Sequence, residues 1–204
     1  MTFWHETLGL LETQINQSEP RLRLLSAHGL LFSAVVWLQS QMVRLLALKR
    51  CRDQCPSLAV SELWKDDDCR ELRDTMLFPE LRKQHACDFF GVAAKFRTAF
   101  CLSRDEVQAL ACVQCLHNML AYGGWSIFQF AEAGEGPSLV HLPHDAKGHC
   151  FKCRPHLNDE KGNKGLRVDF DPGQLPIYFG DLRTVCDAVE RTASRMGLHH
   201  EDLL

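Results

Sequence analysis

The stretch Ser103 to Gly124, SRDEVQALACVQCLHNMLAYGG, constrains this chain more than any other. It opens on a capping box, in which Ser103 can accept from the backbone N–H of Glu106 while Glu106 reaches back to that of Ser103. It closes on Gly123-Gly124, where a glycine takes the left-handed conformation that ends a helix without a Cβ clash. Between these marks Val107, Leu110, Ala111, Val113, Leu116, Met119 and Leu120 leave almost no polar side. A helix apolar nearly all round is buried by neighbours on several sides, so a bundle has to be built about this one. Its last turns carry an exception. Gln114, His117, Asn118 and Tyr122 stand three or four residues apart and share one stripe. A buried polar group without a partner costs about 1–3 kcal/mol, so the stripe is satisfied internally, lines a cavity or meets a partner.

The other elements read as helices for the same kind of reason. Phe3–Gln17 puts Trp4, Leu8, Leu11 and Ile15 on one face. Ser18-Glu19-Pro20 restarts the chain, serine being a favoured N-cap and proline tolerated in a first turn. A long helical pattern follows to Arg50, loosened at Gly29, and includes twenty residues, Leu24–Val43, without Lys, Arg, Asp or Glu. That length would span a membrane, but His28, Gln39, Gln41, Ser26, Ser33 and Ser40 lie within it, and a long buried bundle helix is the expectation. Cys51–Ser57 reads as a break, and a third helix as Leu58–Met76, its Asp66-Asp67-Asp68 run a solvated face. A fourth starts at Pro79, where Leu81, His85, Phe89, Val92, Phe96 and Phe100 keep one helical period. After Gly124 the residues WSIFQFAEAG, PSLVHLP and GLRVDFD alternate and are rich in branched and aromatic side chains, predicting short strands joined by glycine-rich turns. Pro172, Pro176 and Gly180 mark the return to a last helix, Asp181–Met196, with Leu182, Val185, Cys186, Val189, Ala193 and Met196 on one face and Gly197 as its stop. The expected fold is α-dominated: one domain over 1–204, a bundle of about six helices, with a β insertion at about 125–175.

Composition excludes some functions. A net charge of -3 does not suit a protein that coats nucleic acid electrostatically, although Lys49, Arg50 and Arg52 leave room for a local basic patch. The N-terminal MTFWHETLGLL is acidic and amphipathic rather than a secretory signal. The ten cysteines then read as reduced thiols, buried small hydrophobes or metal ligands in a cytoplasmic protein that does not enter a membrane. Cys51, Cys55, Cys69, Cys87 and Cys101 read most simply as small core residues. No Walker loop, dinucleotide glycine fingerprint or Gly-x-Ser-x-Gly elbow is present.

The end of the central helix reads Leu116-His117-Asn118-Met119-Leu120-Ala121-Tyr122-Gly123. It resembles the signature of the HEPN domains, all-α bundles of which many are ribonucleases of toxin–antitoxin, abortive-infection and CRISPR systems. That signature is Arg-Asn-x-x-x-His, often within Leu-Arg-Asn-x-Leu-Ala-His-Gly. Leucine, asparagine, leucine, alanine and glycine stand where the family has them, while the family's arginine falls on His117 and its histidine on Tyr122. The resemblance implies a homodimer, with the two sites facing each other across it, and RNA, a nucleotide or an antitoxin-like protein as partner. The catalytic positions it marks are His117, Asn118 and Tyr122. A histidine at 117 can do acid–base work, its unperturbed pKa being about 6.5. Tyr122, with a reference value of about 10, is a poor base but an adequate donor. Three readings stay open: a rearranged ribonuclease, a HEPN-like fold kept for binding after loss of catalysis, and a polar stripe that satisfies itself inside a bundle.

A second constellation is His141-x2-His144-x4-His149-Cys150-x2-Cys153-x2-His156, with six nitrogen or sulfur donors in sixteen residues. A Cys-x2-Cys turn lets two thiolates reach one zinc, and two more ligands close a tetrahedron. The spacing nominates Cys150 and Cys153 with His149 or His156, and His141 or His144 behind them, as a structural zinc site in a regulatory or interaction protein. A histidine-rich loop with two free thiols fits the same residues. Cys112 and Cys115 have the same spacing but sit within the central helix, where no knuckle can form.

Overall fold

The capping box at Ser103 forms. The Ser103 N–H donates to Glu106 Oε2 at 2.7 Å and the Glu106 N–H to Ser103 Oγ at 3.3 Å. The structure, a computed structural model, describes residues 3–18, 20–56, 63, 69–122, 140–141, 168–169 and 175–198. These residues are predominantly helical: α1 (Phe3–Gln17), α2 (Pro20–Gln54), α3 (Phe78–His85), α4 (Phe89–Ala99), α5 (Arg104–Tyr122) and α6 (Leu175–Arg195). A three-residue helical turn, Arg70–Leu72, and a π-helical segment, Arg73–Leu77, precede α3.

Several boundaries differ from expectation. Helix α2 runs through Gly29 without a break and on to Gln54, so Cys51 is helical and buried and the interruption falls at Cys55-Pro56. Proline removes the donor and forces the preceding residue out of the helical region, which is why the stop lies there. The chain does not leave the helix between Met76 and Pro79. The π segment passes directly into α3, and Pro79, which has no N–H to give to the preceding turn, follows that wide turn.

The fourth expected helix is two helices. It stops at His85 and restarts at Phe89, with Asp88 as N-cap accepting from the Gly91 N–H at 2.7 Å. The break shifts the phase, so His85 is exposed and Gln84 is buried in its place. Helix α5 has one open side, at Gln108 and Ala111, while Leu110, Val113, Leu116 and Leu120 are buried. The last helix starts six residues earlier than expected, at Leu175 rather than Asp181, and carries Pro176 and Gly180 in its first turns. Every member of its predicted apolar face is buried.

The end of α6 is a Schellman motif. Gly197 takes φ +76, the Leu198 N–H donates to the Ala193 carbonyl at 3.0 Å, and the Gly197 N–H donates to that of Ser194 at 3.0 Å. Ala193 and Leu198 are both buried, the apolar pair that commonly accompanies this cap.

The chain forms two compact units, residues 1–35 with 108–183 and residues 36–107 with 184–204. In the first, Glu12 of α1 holds Arg183 of α6 at 2.6 Å, and the guanidinium carbon lies 5.9 Å from the Phe179 ring centroid. In the second, α2 is buried almost all round from Gln41 to Leu48, beside Leu77, Phe89, Val92 and Phe96 in the core. Within α2, Ser26–Gln54 is long and apolar enough to cross a membrane, and half of its apolar window is buried.

The β structure among the described residues is one antiparallel pairing, β1 (Val140–His141) with β2 (Val168–Asp169), Val140 opposite Asp169 and His141 opposite Val168. The rest of the expected insertion lies outside the described residues, as do Asp66-Asp67-Asp68 and Gly123-Gly124.

Candidate functional site

The polar stripe on α5 is the first place to look. Of its members, Gln114 is half-buried and His117 is 7 % exposed. Asn118 and Tyr122 continue the helix, but the Asn118 side chain lies outside the described residues, as does that of Tyr122. Burial of His117 follows from its register, since Val113, Leu116 and Leu120 share that face and are themselves buried. Phe32 of α2 lies beside it, ring centroids 6.3 Å apart and planes 24° from parallel.

Local patterns gave no sign of the partner of His28. Its ring is parallel to Phe32 with centroids 6.1 Å apart, and its Nε2 lies 3.1 Å from the Leu120 carbonyl oxygen. A carbonyl only accepts, so Nε2 carries the hydrogen and donates. Leu120 lies in the last turn of α5, where carbonyls have no partner within the helix, and His28 satisfies one of them. A histidine there is also well placed against the negative end of the helix dipole. His28, Phe32 and His117 therefore form one aromatic cluster that binds α2 to the last turns of α5. Ninety-two residues separate His28 from its acceptor, so no sequence window contains both.

The zinc candidates Cys150, Cys153, His149 and His156, with His144, lie outside the described residues, and only the backbone of His141 is described. Among the described residues, no group of three His, Cys, Asp or Glu is placed to hold a metal ion. Cys112 and Cys115 are within α5, as expected. The described cysteines are all free thiols. Cys51 is buried, but Cys55, Cys69 and Cys87 are partly exposed and Cys101 is exposed, so those four are not core residues.

A second feature belongs to the other unit. A groove of about 420 Å³ opens between α2, α3 and α4, lined by Lys49, Arg50, Asp53, Glu80, Gln84 and Lys95 among others. Lys49 pairs with Asp53 at 2.8 Å one turn on. Gln84, although buried, is fixed at both ends: its Nε2 donates to Glu80 Oε1 at 2.5 Å, and its Oε1 accepts from Lys95 Nζ at 3.0 Å. The same ammonium stands 2.9 Å from Cys87 Sγ. The signal available in the sequence was Asp88, a favoured N-cap three residues before Gly91, which marks the turn that brings these groups together.

No protein-family model, curated protein or solved structure matches the chain.

Proposed function

We propose that this chain is a HEPN-like helical module whose motif no longer carries catalysis, and that it serves as a nucleic-acid- or partner-binding component of a defence or toxin–antitoxin type of system, dimeric and cytoplasmic. The observation that carries the silent reading is the burial of His117 beside Phe32. A general acid or base has to come within hydrogen-bond reach of the proton it moves, about 2.6–3.2 Å. An imidazole enclosed against a phenyl ring is badly placed to meet a ribose hydroxyl. The family's arginine, which neutralises phosphate, is absent at that position, and a net charge of -3 supplies no general substitute. What persists is the frame of the motif on the last turns of a central helix, which supports a surface kept for recognition.

The test uses a mixed, fluorescently labelled RNA pool with chelator present, incubated with the wild type and with His117→Ala. The expected result is an anisotropy change on binding without cleavage by either protein. Cleavage by the wild type that disappears in the variant would overturn the silent reading in favour of a metal-independent ribonuclease centred on His117. Sedimentation of the same sample reads the dimer.

We infer in addition that residues 125–175 form a β excursion stapled by zinc on Cys150 and Cys153 with His149 or His156. The pairing of β1 with β2 supports this, because it brings together the two ends of the segment that contains all four donors. Closing a loop of that length costs conformational entropy, and a metal clip offsets it. Metal analysis after purification without chelator is expected to find one zinc per chain. Less than about a tenth of an equivalent would exclude a tight structural site.

A further inference from the structure

Cys87 lies in the short non-helical link between α3 and α4, and Lys95 lies on α4 two turns further on. The two side chains meet, Lys95 Nζ 2.9 Å from Cys87 Sγ. The sulfur also faces the Lys83 carbonyl at 3.6 Å, so thiol and ammonium are both held by neighbours on α3. The Gln39 amide donates to the Cys87 carbonyl at 3.4 Å and the Asp88 cap fixes the next residue, so the backbone at the sulfur is anchored on each side. Gly91 keeps the way clear. A Cβ there would lie 3.4 Å from Cys87 Cβ and 3.1 Å from Asp88 Oδ1. Cys87 is partly exposed and Lys95 lines the open groove, so a small oxidant can reach the pair.

We propose that Cys87 and Lys95 form a peroxide-dependent modification site, in which the oxidised Cys87 sulfur is captured by the Lys95 amine as a reversible nitrogen–sulfur link. Hydrogen peroxide is the co-reactant. The Cys87 thiolate attacks one peroxide oxygen, the O–O bond breaks, and the departing hydroxide takes up a proton. The products are a sulfenic acid and water, with sulfur oxidised by two electrons and peroxide reduced by two. Lys95, having released its ammonium proton to solvent, then attacks the sulfur through its nitrogen lone pair. The S–O bond breaks, and hydroxide leaves with the second amine proton as water. Cys87 and Lys95 are left joined through a neutral S–NH bond. A sulfenic acid ordinarily condenses with a thiol or with a backbone nitrogen. Here the nucleophile already touching the sulfur is an amine. An external thiol reverses the link by attacking sulfur and releasing the amine.

The link would also change the groove. It removes the Lys95 charge and the bond to Gln84, leaving Lys49 and Arg50 against Asp53 and Glu80. An oxidative signal would thereby be written into the charge of that surface.

Trypsin provides the readout, because Cys87 and Lys95 share the segment Gln84–Lys95 between two cleavage sites. The full-length folded protein is treated with limiting peroxide, blocked with a thiol alkylator, digested and analysed by mass spectrometry. The expected product is an uncut Gln84–Arg97 peptide two hydrogens lighter than its reduced form, and dithiothreitol before digestion is expected to restore the cut that gives Gln84–Lys95. Lys95→Arg keeps the cation but offers a poor nucleophile, and is expected to stop at the sulfenic acid while matching the wild type in circular dichroism. Cys87→Ser is expected to show no change at this peptide. Three outcomes overturn the proposal: a Cys87 sulfinic acid or disulfide in the folded wild type without the link, no reaction at Cys87, or an equal yield of the link in urea.

Discussion

Arg191 grips both oxygens of Glu106. One guanidinium nitrogen bonds Oε1, and the other lies 2.8 Å from Oε2, the oxygen that also accepts from the Ser103 N–H. The capping carboxylate of α5 is thus the anchor for the last turns of α6. Arg191 first, aided by the Ser103 N–H and hydroxyl, holds the Glu106 carboxyl down to about 2, against a smaller upward push from burial. A depressed carboxylate contributes stability that is complete above its unfolded value of 4.5 and is lost as pH falls through the folded value of about 2. Arg191→Met is therefore expected to cost about 2 kcal/mol at neutral pH, the scale of charge-assisted hydrogen bonds to a buried acceptor. The cost should shrink as pH falls from 4.5 towards 2, where the wild type loses the same interaction. Urea midpoints across that range measure both effects, and a pH-independent penalty would contradict the assignment.

Two glycines should respond to alanine with opposite signs. Gly197 has φ +76 and open space where a Cβ would stand, so Gly197→Ala meets only the backbone penalty of the left-handed region. A loss of about 1 kcal/mol is expected. Gly29 lies inside α2, is exposed, and has nothing within 4 Å of the place an added methyl would take, so Gly29→Ala should stabilise by up to about 1 kcal/mol. Chemical denaturation of the two single variants decides both signs.

How much could be read in advance follows from the range of each interaction. The Ser103–Glu106 box and the Gly197 stop are local, and each shows in four or five residues. The buried face of α6 was legible because Leu182, Val185, Cys186, Val189 and Ala193 keep one helical phase without interruption. The break at 86–88 was hidden by the reverse circumstance. Phe89, Val92 and Phe96 continue the spacing of Leu81 and His85 closely enough that periodicity ran across a turn set by one capping side chain, Asp88. At the candidate site, His117 stood out as a polar residue in an apolar rod. His28 was visible as a polar residue in an apolar run, but its role was not, because it depends on a carbonyl of another helix. The meeting of Cys87 with Lys95 likewise depends on the turn that periodicity concealed.

The thiols should differ widely in reactivity. Burial pushes Cys186 up to about 12, with Glu190 and then Asp187 adding to it. Burial also raises Cys51, reinforced by Glu80 and Cys55. At pH 8 a thiol at 12 is ionised to about one part in ten thousand, and the thiolate is the reactive form. Timed alkylation of the native protein followed by peptide mass spectrometry is expected to label exposed Cys101 first and to leave Cys186 and Cys51 until the chain unfolds. Early labelling of Cys186 would place it outside the core.

The start of α4 offers a double-mutant cycle with a definite sign. Asp88→Ala removes the acceptor of the Gly91 N–H and should cost about 1 kcal/mol, the usual value of an N-cap. Gly91→Ala would ordinarily stabilise a helical position. Here the added methyl comes within 3.1 Å of Asp88 Oδ1 and 3.4 Å of Cys87 Cβ, so the cap has to give way and the gain is offset or reversed. With Asp88 already replaced, the nearer of those two contacts no longer exists and the helix-forming advantage of alanine should return. The two substitutions are therefore expected to be less damaging together than the sum of their separate effects, with a coupling of about 0.5–1 kcal/mol, typical for residues in contact. Urea denaturation of the wild type, both single variants and the double variant measures that coupling. Strict additivity would mean that the cap does not constrain Gly91.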